Sequence, residues 1–205
     1  GGKAMALVLA AHLLSVGAVS TPVDGAASAA SRALLDQLHT IASSPAFVFG
    51  HHNSNEEGQH FVDLDGTANR SDVATATGGV WPGMIGYNLA WVAEQEPKGK
   101  NLTAVVAAAL SATGGHAMLH LYWESSNPVT GGPPSDSSGS PITAILPGGS
   151  ANAEWVARMD RVAAFLGSLH ALGAAAVFRP FHENTGGWFW WGLGGASPPP
   201  PPPPP

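Results

Sequence analysis

The sequence predicts an α/β fold on a parallel sheet, and three observations carry the prediction. Short β-branched and aromatic runs alternate with segments of helical length, glycines separate the two, and polar residues gather just after the runs. Parallel neighbours need crossover connections of about helical length, so this alternation implies a parallel sheet covered by its own helices.

From Ala33 to Ile41 the residues Leu34, Leu35, Leu38 and Ile41 fall at helical spacing, and Pro45 introduces a strand at Phe47-Val48-Phe49-Gly50. Ser71 is placed to cap a short helix that stops at Gly78-Gly79, followed by a buried strand within Val80 to Tyr87 despite Pro82. Asn101 caps a helix over Leu102–Ala112, Gly114-Gly115 end it, and Ala117 to Trp123 forms the third strand. Asn152 and Glu154 open a long helix whose Trp155, Met159, Val162, Leu166 and Leu169 make one apolar stripe. Gly173 closes it before a fourth strand at Ala175 to Phe181. Ser125 to Ser150, rich in Gly, Pro and Ser, reads as a long loop.

Composition narrows the function. The 205 residues are 44% apolar and 11% charged, with 26 glycines, which excludes collagen and coiled coil. A net charge of −6 with scattered Lys and Arg leaves no cationic stripe for a phosphate backbone, so no nucleic-acid partner is expected. The absence of cysteine removes disulfides, thiolate metal sites and a Cys nucleophile together.

Lys3 followed by the apolar run Ala4 to Val19, with small residues Ala18 and Ser20, reads as a secretory signal over residues 1–20. The expectation is therefore a secreted, extracellular protein without a membrane anchor. Asn69-Arg70-Ser71 and Asn101-Leu102-Thr103 are then glycosylation sequons. A polyproline tail over 197–205 forms an extended spacer without a core of its own.

In a doubly wound sheet or a barrel, ligands meet the carboxyl ends of the strands. Those ends carry His51-His52-Asn53, Asn88 with Trp91, Glu124 with Asn127, and His182-Glu183-Asn184. Behind Glu183 come Trp188-Phe189-Trp190-Trp191, more consecutive aromatics than core packing requires. Flat apolar faces suit sugar rings. A carboxyl beside such rings has its ionised form disfavoured, which raises its pKa toward that of a general acid.

The segment Phe178-Arg179-Pro180-Phe181-His182-Glu183-Asn184-Thr185-Gly186-Gly187-Trp188-Phe189-Trp190-Trp191-Gly192 resembles the acid/base segment of glycoside hydrolase family 26, whose members include secreted β-mannanases. Phe49-Gly50-His51-His52, Ser71-Asp72-Val73, Gly86-Tyr87-Asn88 and Asn127-Pro128-Val129-Thr130-Gly131-Gly132 are similar to the same family in the same order.

The resemblance implies a (β/α)8 TIM-barrel type of fold, of which about four βα units are present, within a partial catalytic domain over 31–196. It further implies retaining endo-hydrolysis of β-1,4-mannosidic linkages with no cofactor and no catalytic metal. The partner is a β-mannan polysaccharide, and the protein is expected to be a monomer. By the resemblance Glu183 is implied as proton donor, His182 as support for substrate and nucleophile, and Trp188 as the wall of the reacting sugar's subsite; by their places at the strand ends Trp123, Glu124, Asn127 and His51 are further candidate substrate contacts. Turn-making before Pro128 is the equal alternative for Asn127.

The chain departs from the family where Trp123-Glu124 replaces Trp-His. The family's nucleophilic Glu lies at the seventh strand, whereas proline follows the fourth here, so an amino-terminal half with little hydrolytic activity alone is expected. Arg179, on Glu183's face by strict alternation, is expected to be a structural charge, and Trp155 core.

Two rival functions remain. A metal-dependent hydrolase could draw on His51, His52, His120 and His182. A catalytically defective, wall-associated carbohydrate-binding protein would keep the aromatic platform without the nucleophile.

Overall fold

The computed structural model describes residues 21–95 and 99–192. The expected signal segment (1–20) and polyproline tail (197–205) lie outside the described residues. The chain divides into two units between Phe47 and Val48. The first carries α1 (Ala29–Ala42), capped by Ser28, whose Oγ accepts from the Ser31 backbone N–H at 3.1 Å.

In the second unit the elements run β1 (Gly50–His52), β2 (Glu57–Gly58), β3 (Phe61–Val62), α2 (Asp72–Thr77), β4 (Met84–Asn88), α3 (Ala90–Ala93), α4 (Leu102–Ala112), β5 (Met118–Tyr122), α5 (Pro141–Ile145), α6 (Asn152–Ala171) and β6 (Ala176–Arg179). Strands β1, β4, β5 and β6 form one all-parallel sheet in that order, and β2 and β3 form a small antiparallel ribbon. The α/β class and the parallel sheet follow the sequence. Among the described residues, β1 and β6 each pair on one side only.

Local chemistry explains the boundaries. Ser71 caps α2 by accepting from Ala74 N–H at 3.3 Å, and Gly78 ends it at φ 74°, a conformation open to glycine. Asn101 caps α4 through Oδ1, which accepts from Ala104 N–H at 3.1 Å. The first strand differs from expectation. Pairing starts only where the Phe49 carbonyl accepts from Gly83 and Met84 N–H, so β1 begins at Gly50 and the Phe47 and Phe49 side chains stay exposed. Likewise Pro82 stands outside β4, consistent with its missing N–H. The loop after β5 is not structureless, since it contains α5.

Period-2 alternation sorts the strand residues. Ile85, Tyr87, Leu119, Leu121 and Trp123 join Val105, Val106, Ala109, Val162, Phe165 and Leu169 of α4 and α6 in one core. Trp123 stacks on Trp155 with ring centroids 4.9 Å apart, a pair that contributes roughly 0.5–1.5 kcal/mol beyond its area. The other face of the sheet presents the alternate set, including His52, Asn88, His120, Tyr122 and Arg179, which the registers place side by side.

Candidate active site

The carboxyl ends of the parallel strands assemble two adjoining clusters. The first is a ring layer across β1 and β5. His52 stacks on Tyr122 at 4.4 Å and lies 5.5 Å from His120, while Tyr122 meets the His182 ring edge-on at 6.2 Å. Burial lowers the pKa of both His52 and His120, and a neighbouring imidazole (His51 for His52, His52 for His120) and Arg179 reinforce this. For His52 the Glu124 carboxylate pulls the other way. Tyr122 is pushed up to about 12 by burial first and by Glu124 second. Arg179, exposed at the end of β6, pairs in register with Tyr122 on the same face as both histidines.

Glu124 sits at the rim of this layer. Asn88 Nδ2 donates to its Oε2 at 3.1 Å, and Asn88 Oδ1 accepts from the Glu124 and Ala90 backbone N–H groups, tying the ends of β4 and β5 together.

The second cluster is the loop after β6. Phe181 and Glu183 both adopt left-handed backbone angles, φ 51° and 53°, a strained choice for non-glycine residues that costs on the order of 1–3 kcal/mol each. The Glu183 side chain is exposed, and Trp188 Nε1 donates to its Oε2 at 2.8 Å. The enclosed carboxyl expected from the aromatic run is therefore corrected: the acid stands in solvent beside one indole. The Trp188 ring is 50% exposed, whereas Trp190 and Trp191 are buried. Trp190 Nε1 donates to the Ser125 carbonyl at 2.9 Å and Trp191 Nε1 to the His182 carbonyl at 2.7 Å.

Comparison with known proteins decides the lineage. The profile of glycosyl hydrolase family 26 matches residues 23–201. The chain belongs to that family. A curated family relative, the mannan endo-1,4-beta-mannosidase of Bifidobacterium adolescentis, is 29% identical over 174 residues, covering 80% of this chain and 17% of its own. Among solved structures, the modular endo-beta-1,4-mannanase of Cellulomonas fimi superposes with TM-score 0.70 at 32% identity, covering 83% of this chain and 39% of that one. The GH26 beta-mannanase of Bacteroides ovatus gives TM-score 0.66 at 30% identity, over 80% and 48%. This family 26 chain thus spans less than half the length of each, and its four parallel strands form part of a TIM-barrel type of fold.

Within this family 26 framework the sequence-derived site residues part company. Glu183, Trp188, Glu124 and His182 gather around the two clusters. Trp123 is 2% exposed and belongs to the helix-covered core. Asn127 is fully buried. Its Nδ2 donates to the Asp136 and Ser138 carbonyls, and its Oδ1 accepts from Val129 and Thr130 N–H, so turn-making accounts for it. His51 is exposed and pairs in register with Ile85, whose side chain is in the core, whereas His52 pairs with Gly86 and stacks on the ring layer. Among the described residues no group of three or more His, Asp or Glu is arranged to hold a metal ion.

Two features of this family 26 chain escaped sequence reasoning. Arg158, 7% exposed on α6, donates through Nη1 to Ser125 Oγ, Ser126 Oγ and the Ser126 carbonyl at 3.0–3.2 Å. It also pairs with Glu154 at 3.0 Å and Glu94 at 3.4 Å. It fixes the same Ser125-Ser126 corner that Trp190 grips. Its place one turn before Val162 on the apolar stripe was the available signal. The second feature, past β1, is a fully buried ion pair between Glu56 and Lys100 at 2.6 Å, with the Lys100 ammonium over the Trp91 ring. Beside it Tyr87 Oη donates to Asn55 Oδ1 at 2.8 Å.

Proposed function

We propose that the chain supplies the acid/base part of the site of a secreted endo-β-1,4-mannanase, within a domain spanning 31–196. Glu183 is the proton donor to the departing sugar oxygen. The observation that carries this reading is the exposed Glu183 carboxyl beside the accessible Trp188 ring, at the end of a parallel strand in a family whose relatives are named as mannanases. Trp188, His182 and Glu124 are the substrate contacts best supported by position. His51 stands at the rim, and Trp123 and Asn127 act through the core and the loop they hold. Secretion is supported by the apolar run Ala4 to Val19. Among the described residues no helix is long and apolar enough to cross a membrane.

Retaining hydrolysis needs a second carboxyl about 5–5.5 Å from the acid to form the glycosyl-enzyme intermediate. On this reading that group belongs to the part of the family's barrel beyond β6. The chain alone is then expected to retain mannan in affinity gels but release few reducing ends from galactomannan. Glu183→Gln should lower whatever release there is by roughly 10²–10⁴-fold. Release undiminished in Glu183→Gln overturns the assignment. Robust Glu183-dependent release keeps the acid and overturns the need for a carboxyl outside these four strands.

A further inference from the structure

The three tryptophans after Glu183 spend their indole N–H groups differently. Trp190 and Trp191 are buried and donate to main-chain carbonyls, whereas Trp188, half exposed, donates to a carboxylate oxygen. The surrounding loop is built for that contact. Gly186 N–H donates to the Glu183 carbonyl at 3.0 Å, closing a turn, and a Cβ at Gly186 would collide with the Trp188 ring. The buried Trp190 and Trp191 anchor the chain just beyond it.

An indole nitrogen is a donor only. An oxygen that accepts its hydrogen bond is the one left without the proton when a carboxyl becomes an acid, because the carbonyl oxygen is the better acceptor. We propose that Trp188 is a positioning residue for the proton of Glu183: its N–H reserves Oε2, so the exchangeable proton resides on Oε1, while the ring of the same residue meets the sugar. This rests on the reading of Glu183 as the acid/base group, and it adds which oxygen does the work and what selects it.

The test follows the indole N–H signals in ¹H–¹⁵N spectra across an acid-to-neutral titration, with Trp188→Phe identifying the Trp188 signal by its loss. The expected result is a Trp188 signal that shifts in one step yet stays in its hydrogen-bonded position at both ends, with the step lost in Glu183→Gln. The Trp190 and Trp191 signals should stay still. A Trp188 signal that is flat with pH, that steps equally in Glu183→Gln, or that moves to the position of a free indole on acidification overturns the proposal. The last outcome means Oε2 took the proton.

In mannan affinity gels Trp188→Ala should lose retention, and undiminished retention in Trp188→Ala overturns the part given to the ring. A parent chain that neither binds nor cleaves mannan refutes the mannanase reading instead, leaving the titration to decide the hydrogen bond.

Discussion

Glu56 and Glu183 both follow strands of the same sheet, and their surroundings are opposite. Glu56 is 1% exposed and locked to Lys100. Burial pushes its carboxyl up to about 7, even though the Lys100 charge pulls downward. The same burial lowers Lys100, with Glu56, Glu57 and Asp63 resisting. Glu183 is exposed, and its bonded partner is a neutral indole. The contrast teaches that a buried carboxyl past a strand end can serve the architecture: the desolvated, charge-paired Glu56 joins the loop after β1 to the start of α4, whereas the group proposed as the acid stands in water.

The sharpest way to break this contrast is Lys100→Met, which strands Glu56 without its counter-charge. Urea unfolding near pH 8 should show a loss of about 3–5 kcal/mol, and a smaller loss near pH 5, where Glu56 can take a proton. An equal loss at both pH values would mean that the pair is not charged when buried.

Next in size is the pH dependence of the parent chain. Glu56 holds its proton more tightly folded than unfolded. Its contribution to stability is therefore complete below the ordinary value of 4.5 and drains away as pH climbs through about 7. The fall should be on the order of 2–3 kcal/mol between those limits and should vanish in Glu56→Gln. Lys100, lowered by the same burial, adds a slope of opposite sign as pH climbs toward its ordinary value of 10.5.

Trp190→Phe leaves the Ser125 carbonyl without its indole donor and should cost about 1–2 kcal/mol in thermal or urea unfolding. Smallest of all, Trp188→Phe and Glu183→Gln should each move stability by no more than about 0.5 kcal/mol, since both side chains are exposed. A larger loss from either would place structural weight on the side of the comparison assigned to function.

Helices were the most legible part of the fold because their signals are local. Asn101 ahead of Leu102 and Gly114-Gly115 behind Ala112 define α4, and Ser71 with Gly78 defines α2. The strands were legible in kind and order but not in extent. The apolar letters Phe47 to Phe49 stop where β1 pairing begins, since pairing depends on what the neighbouring strand offers. The ribbon of β2 and β3 has two residues a side, too few to show alternation.

At the site, Glu183 and its aromatic run could be found because they are contiguous. Trp188 could be singled out from the run, but the carbonyls that hold Trp190 and Trp191 could not, because they come from tertiary contacts, Ser125 above all. The Glu56–Lys100 pair, 44 positions apart, leaves no periodic trace. Trp123 had the right chemistry, and the parity of its position put it on the helix-covered side.

That parity carries its own cost. In β5 and the two residues after it, the odd positions Leu119, Leu121 and Trp123 feed the core, and the even positions His120, Tyr122 and Glu124 take the opposite face. Inserting or deleting a single amino acid inside the strand would exchange the two sets at a stroke, thrusting imidazole and phenol among the leucines while casting an indole into water. Reading frames within this segment are therefore far less forgiving of length change than of substitution, and drift in its lineage should be confined to swaps that preserve spacing.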